Sequence, residues 1–437
     1  MASSPRPVDE VFSEAAHLGT CLRVEAALAE AQAALGIVPP EAARAIAVNA
    51  RIDRLDVAKI REATRKTGYP VAPLVRQLTA ACGEHGRFVH WGATTQDILN
   101  TALALQANEA LATLAQTLRA IVRALAGHAR AHRDTLMVGR TFGGHALPIT
   151  FGFKAAVWLS GMLRHAERVA GLQARPLEGE FAGVGGTLAS LEGRGLEVRA
   201  RFMAALGLPE ARITWASQRD RIAELTGVLA VLCAAAGKIA ADVTELSGTD
   251  FGELAEPVSG GKDASSTLPF KANPIYCGHV MTAATRVAQA HGAVLAAMRQ
   301  REERSSEGML EYESVPDAFV QSARCLSHLR TVLEGLQVFP ERMRRNLALT
   351  RGVLMAERYM MALAPHLGRL AAHDLVHEAC EQAVHQGLEV GAVLATMPAV
   401  APHFSPQAIA ALGDPAGYLG TAPAMIDAVL DEAARWA

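Results

Sequence analysis

Residues 101–132 run without a proline and with a single glycine, Gly127. Leu111, Leu114, Leu118, Ile121, Val122 and Leu125 recur along this stretch at three- and four-residue steps, which lines up one face of an α-helix. A helix of that length exceeds the usual ~10–14 residues of a globular protein and predicts a rod in a helix bundle. Similar patterns cover roughly 152–175, 219–247, 275–300 and 316–350. Half the residues are hydrophobic but only 5% are aromatic, so Ala, Leu and Val supply the apolar surface. Alanine and leucine are strong helix formers. The expectation is an all-α chain built on five long helices in close contact, within and between subunits.

The punctuation divides the chain in three. PVDEV, GIVPPEAA and TGYPVAPLV interrupt a first set of shorter helices ending near residue 100. After about residue 350, PHLGR, TMPAVAPHFSP and GDPAGYLG do the same. The predicted domains are 1–100, 101–350 and 351–437. Two Gly-rich segments break the bundle region, FAGVGGTLAS (181–190) and VSGGKDASSTLPFKANP (258–274).

Lys+Arg 42 nearly cancel Asp+Glu 44. With no basic run, nucleic acid and anionic membrane are excluded as main partners, and an anionic ligand has to be held by a few local cations. The six cysteines are scattered with no CxxC pair, which predicts neither disulfides nor a zinc site and places the chain in a reducing cytoplasm. The opening MASSPRPVDEVFSEAA is polar and acidic, unlike a signal peptide. The longest charge-free apolar stretch, 225–237, is shorter than the ~18 residues of a membrane span and reads as a helix buried on every side. His373 and His377 stand one helical turn apart, but no third ligand is near in sequence and Asp374 occupies the place of the usual glutamate. The pair reads as a solvent-facing helix, and neither metal nor organic cofactor is expected.

The segment 258–274 carries the chemistry. Gly260 and Gly261 give freedom, Ser265, Ser266 and Thr267 place three hydroxyls in a row, and Lys271 and Asn273 follow before Pro274. Such a loop can bring a hydroxyl, a cation and an amide over an anionic substrate. ASSTLPFKANP resembles the loop of the fumarase/aspartase superfamily, GSSxMPxKxNP, with Ala264 for the first glycine and Leu268 for methionine. GRFVHWGATTQDILNTA, GRTFGGHALPITFGFKAA, WASQRDRIAEL and LEYESVP extend the resemblance over nearly the whole chain. They are most similar to the 3-carboxy-cis,cis-muconate cycloisomerase branch, with the adenylosuccinate lyases next.

The resemblance implies a three-domain fold, a homotetramer with a twenty-helix core, and active sites each shared by three subunits. It also implies chemistry. Removing hydrogen from carbon beside a carboxylate builds an enolate-like dianion, so a base must face concentrated positive charge and N–H donors. The family pattern places the base on Ser265 and the carboxylate contacts on Ser266, Lys271 and Asn273. His90, Thr94, Thr95 and Gln96 match a substrate-binding segment; a helix N-cap is the structural reading of the two threonines. In GRTFGGHA, Phe142 and Gly144 replace the histidine and glutamine of the superfamily's THxQ, which makes His145 the candidate general acid or substrate contact, beside Arg140 and Thr141. Gln218 and Arg219 match QRDR, and Tyr312 stands where the cycloisomerases have tryptophan.

Phe270 and Ala216 stand where those cycloisomerases have histidine. Each swap removes a hydrogen-bonding group and favours a smaller or less charged substrate, such as an N-substituted or nitro-substituted succinate. The expected activity is closure of carboxymuconate to a lactone; the alternative is elimination from a substituted succinate to give fumarate. A non-catalytic structural relative is the third class, opposed by the intact Ser265, Ser266, Lys271 and Asn273.

Overall fold

The computed structural model describes residues 6–257 and 273–436. Ser265, Ser266 and Lys271 lie outside the described residues. Helices dominate. The longest are Thr95–Ala131, Phe151–Ala174, Asp220–Leu246, Ile275–Ala297 and Met309–Glu334. Four of them match the periodicity of the sequence closely. The fifth differs: it begins at Met309, carries Pro316 inside it and stops at Glu334, with a separate helix over Pro340–Ala348. Gln337 and Val338 between them pair with Leu254 and Ala255 as short antiparallel strands. Phe339-Pro340 explains the restart, because proline suits the first turn of a helix and not its interior.

The chain divides into two compact units. One comprises 1–117, 165–236 and 282–327. Here helix Glu14–Ala33 packs against Pro40–Asn49 and Gly195–Leu206, with Leu22, Leu28, Ile98, Leu99 and Phe202 fully enclosed. Caps start its helices where the sequence supplies them. Ser13 Oγ accepts from Ala16 N at 3.3 Å, and Asp56 from Lys59 N at 3.1 Å.

The other unit comprises 118–164, 237–281 and 328–437. Its main core gathers Met355, Tyr359, Leu363, Val376, Val390 and Leu394, with Val138 reaching in from a β-hairpin. That hairpin, Leu136–Thr141 against Gly144–Thr150, stands between two of the expected long helices, where the all-α reading assigned no element. Its two-residue tip, Phe142 and Gly143, has φ of +51° and +80°. Positive φ at both positions matches the twist of paired strands. The chain leaves the hairpin through Gly152, where a Cβ would lie 2.6 Å from Arg133 Cα, so no larger residue fits.

The apolar stretch 225–237 does lie in a helix, but not one enclosed on every side. The Asp220–Leu246 helix has an 18-residue window of mean hydropathy 1.7, half of it buried, and Val231 is 53% exposed. A single copy of the chain leaves that face uncovered. His373 and His377 are exposed on helix Arg369–Gln386, beside Asp374 and Glu381 respectively.

Candidate active site

In the first unit, a cavity of about 260 Å³ opens at the start of the Thr95–Ala131 helix, lined by Tyr69, Thr94, Thr95, Gln96, Arg304 and Tyr312. The first N–H groups of a helix have no partner inside it, and they point a partial positive charge at whatever sits there. Asp97 does the capping. Its buried carboxylate accepts from Thr94 N at 2.9 Å, Ala182 N at 2.9 Å and Gly183 N at 3.1 Å. It thereby fastens the helix start to the Gly-rich segment 181–190. Burial raises the Asp97 pKa, against the pull of those three donors. The cap reading of Thr94 therefore holds for its backbone. Its hydroxyl faces the cavity, 3.5 Å from Arg304 Nη1, which also lies 3.4 Å from Gln96 Oε1.

Arg304 was not among the residues chosen from the sequence. It closes the charged run RQREER, which reads as a solvated surface, and only the fold brings it to Thr94. Among the described residues no carboxylate pairs with it, so its full charge is open to a ligand.

His90 lies close behind. Its φ is +61°, unusual for a residue with a side chain, and its Nδ1 sits 2.6 Å from Glu25 Oε1. Burial lowers the His90 pKa, but the Glu25 hydrogen bond and the Glu25 and Asp97 charges outweigh it and hold the pKa above the ordinary value. Glu25, only 1% exposed, is a second partner that the sequence did not reveal.

The segment 214–219 is anchored by Glu180, whose carboxylate accepts from Thr214 Oγ1 at 2.9 Å and Trp215 N at 3.0 Å. Burial pushes the Glu180 pKa to about 7 despite both bonds. Arg219 is buried against Glu311, donates to Asn100 Oδ1 at 3.3 Å and stacks over Trp215 at 4.8 Å. As a substrate cation it is already compensated, so its place is in the packing. Gln218 lines a separate hollow of about 80 Å³ with Glu178, Trp215 and Arg221. Ala216 borders a space of about 30 Å³ beside Thr94 and Arg304, room for a water where a histidine was expected of the family.

In the second unit, Arg140 and His145 face each other across the hairpin. Arg140 meets the buried Glu253 with two bonds, 3.0 and 2.7 Å, and Asn346 Nδ2 adds a third at 2.7 Å. This cation too is neutralised within the chain. His145 Nδ1 is buried without a partner among the described residues. Burial first, then the Arg140 charge, lowers the His145 pKa, opposed by Glu253. A neutral imidazole suits a substrate contact better than a proton donor. Thr141 is exposed at the end of its strand. Asn273 precedes helix Ile275–Ala297, whose first turn is capped by Glu256, accepting from Tyr276 N at 3.0 Å and Cys277 N at 2.5 Å. Residues 256 and 276 thus tie together the two flanks of the Ser265 segment.

A family model described as "Lyase" matches residues 8–289, and one described as "Adenylosuccinate lyase C-terminus" matches 352–429. The chain is 40% identical to a 3-carboxy-cis,cis-muconate cycloisomerase of Pseudomonas aeruginosa, over 98% of this chain and 94% of the relative. It is 38% identical to a nitrosuccinate lyase of Streptomyces davaonensis, over 96% and 91%. The crystal structure of a fumarate lyase from a Mesorhizobium species superposes with a TM-score of 0.90, at 44% identity over 97% of both chains.

Proposed function

Because the chain belongs to the fumarase/aspartase lyase superfamily, we propose that it closes 3-carboxy-cis,cis-muconate to its lactone through a carboxylate-stabilised carbanion. One carboxylate oxygen of the substrate forms a bond to an alkene carbon. The π pair moves to the neighbouring carbon beside a second carboxylate, and that carbon takes a proton. In the reverse direction the same carbon loses it. Ser265 is the proton-transfer group in this reading, with Ser266, Lys271 and Asn273 on the substrate carboxylate. Arg304, the Thr94 hydroxyl and the positive end of the Thr95–Ala131 helix hold a further carboxylate. His145 contributes an imidazole contact.

The observation that carries the proposal is Arg304 over the helix start, with no carboxylate partner among the described residues, in a chain similar to a cycloisomerase along its full length. Purified protein should bleach the conjugated absorbance of carboxymuconate, and Arg304→Ala should not do so at the same substrate concentration. Absence of bleaching by the unmodified protein overturns the cycloisomerase reading. Elimination from a substituted succinate is then the alternative, favoured by the small Ala216 beside Arg304 and read as fumarate absorbance.

The active form in this proposal is a cytoplasmic homotetramer with shared sites. Its support is the exposed Val157, Val231 and Leu295 on three of the long helices and six free thiols.

A further inference from the structure

The rings of Tyr69 and Tyr312 meet edge to face, 6.0 Å between centroids, and both residues line two different spaces. One is the cleft that holds Arg304. The other is a chamber of about 350 Å³ with apolar walls from Phe12, Pro70, Leu99, Leu103 and Pro316. That volume falls within the range of small-molecule sites.

His17, Gln106 and Glu14 at the chamber are already engaged. His17 Nδ1 lies 2.9 Å from Gln106 Oε1, and the Gln106 amide donates to Val11 O at 2.5 Å. Burial holds the His17 pKa below its ordinary value, against the Gln106 hydrogen bond, so the ring is neutral near pH 7. The Glu14 carboxylate is paired with Arg61. The charge that lines the chamber is thus an anion already paired, whereas the cleft across the tyrosine pair has an arginine with no carboxylate partner among the described residues. A bare polyacid such as carboxymuconate occupies the cleft and leaves the apolar walls free, and a carboxylate placed against those walls would lose its water.

We propose that the chamber receives a neutral hydrocarbon substituent of the same ligand whose carboxylate rests on Arg304, the substituent passing the edge of the Tyr69–Tyr312 pair. The ligand is a second class of substrate, accepted at the same cleft beside carboxymuconate: a di- or tricarboxylate bearing an apolar group of several carbons. This rests on the reading of the Arg304 cleft as the carboxylate site.

The test is calorimetric titration of the intact protein with succinate and a series of 2-alkylsuccinates from methyl to hexyl. Each added methylene should tighten binding about threefold to fourfold until the chamber is full. Tails ending in a second carboxylate should gain nothing. Leu103→Phe, which fills the chamber, should abolish the gain when each ligand is compared with succinate in the same variant. Affinity independent of alkyl length in the unmodified protein overturns the proposal, as does a gain that survives Leu103→Phe in a variant with an unchanged circular dichroism spectrum. Succinate that binds equally well to Arg304→Ala, or no binding by any member, instead overturns the carboxylate-site reading beneath it.

Discussion

Arg219 and Glu311, 92 residues apart in sequence, form an ion pair in which both side chains are almost wholly buried, with Arg219 Nε 2.9 Å from Glu311 Oε2. The guanidinium also covers the Trp215 ring, so one pair joins segment 214–219 to the helix that carries Tyr312. Removing one partner strands the other charge out of water. Glu311→Ala should lower the free energy of unfolding by about 3–5 kcal/mol, read as a shifted urea midpoint. A loss below about 1 kcal/mol would show that the pair is not the fastening described.

Arg304 is exposed and bonded only to neutral groups among the described residues. Arg304→Ala should raise KM by about 10- to 100-fold, the worth of a charge-assisted hydrogen bond. The melting temperature should stay put, because exposed positions of this kind affect stability little. Unchanged KM would remove Arg304 from the site.

Glu180 sets a pH dependence. In the native chain it keeps its proton up to about pH 7, whereas its ordinary value is 4.5. Between those values the folded state binds more protons than the unfolded state, so stability falls as pH rises through the window. Replacing the acid by a neutral isostere removes that slope. Relative to Glu180→Gln, the unmodified protein should lose up to about 3 kcal/mol between pH 5 and 7.5. Parallel stability curves for the two proteins across that range would contradict the assignment.

Ser265→Ala tests the proton-transfer role implied by the family pattern. Turnover should fall by about 10²- to 10⁴-fold, the usual worth of a positioned acid–base group, with affinity for succinate retained. Retained turnover would move the role to another residue.

Much of this was legible before any coordinates. The 3.6-residue rhythm of Leu111, Leu114 and Leu118 located the longest rod, because a core-facing stripe leaves a periodic trace. Thr94, Thr95, Gln96 and Tyr312, singled out from two separate motifs, line one cavity. The hairpin was missed because residues 139–146 were read only for their site motif, although Met137 and Val138 followed by a Phe-Gly-Gly tip carry a weak turn signal. Arg140 was a candidate cation and Arg219 a match to QRDR, but sequence distance hides their partners Glu253 and Glu311. Arg304 was hidden for the opposite reason, being one charge among several in a polar run. A lone pairing or its lack is a property of three-dimensional neighbours, and local sequence does not record it.

Asp97 holds the backbone of Thr94 and of residues 182–183 with its own carboxylate, which frees the Thr94 hydroxyl from keeping the helix in place. Replacing Thr94 should thus leave the architecture intact. Asp97 has no such latitude: one change there would undo two attachments together.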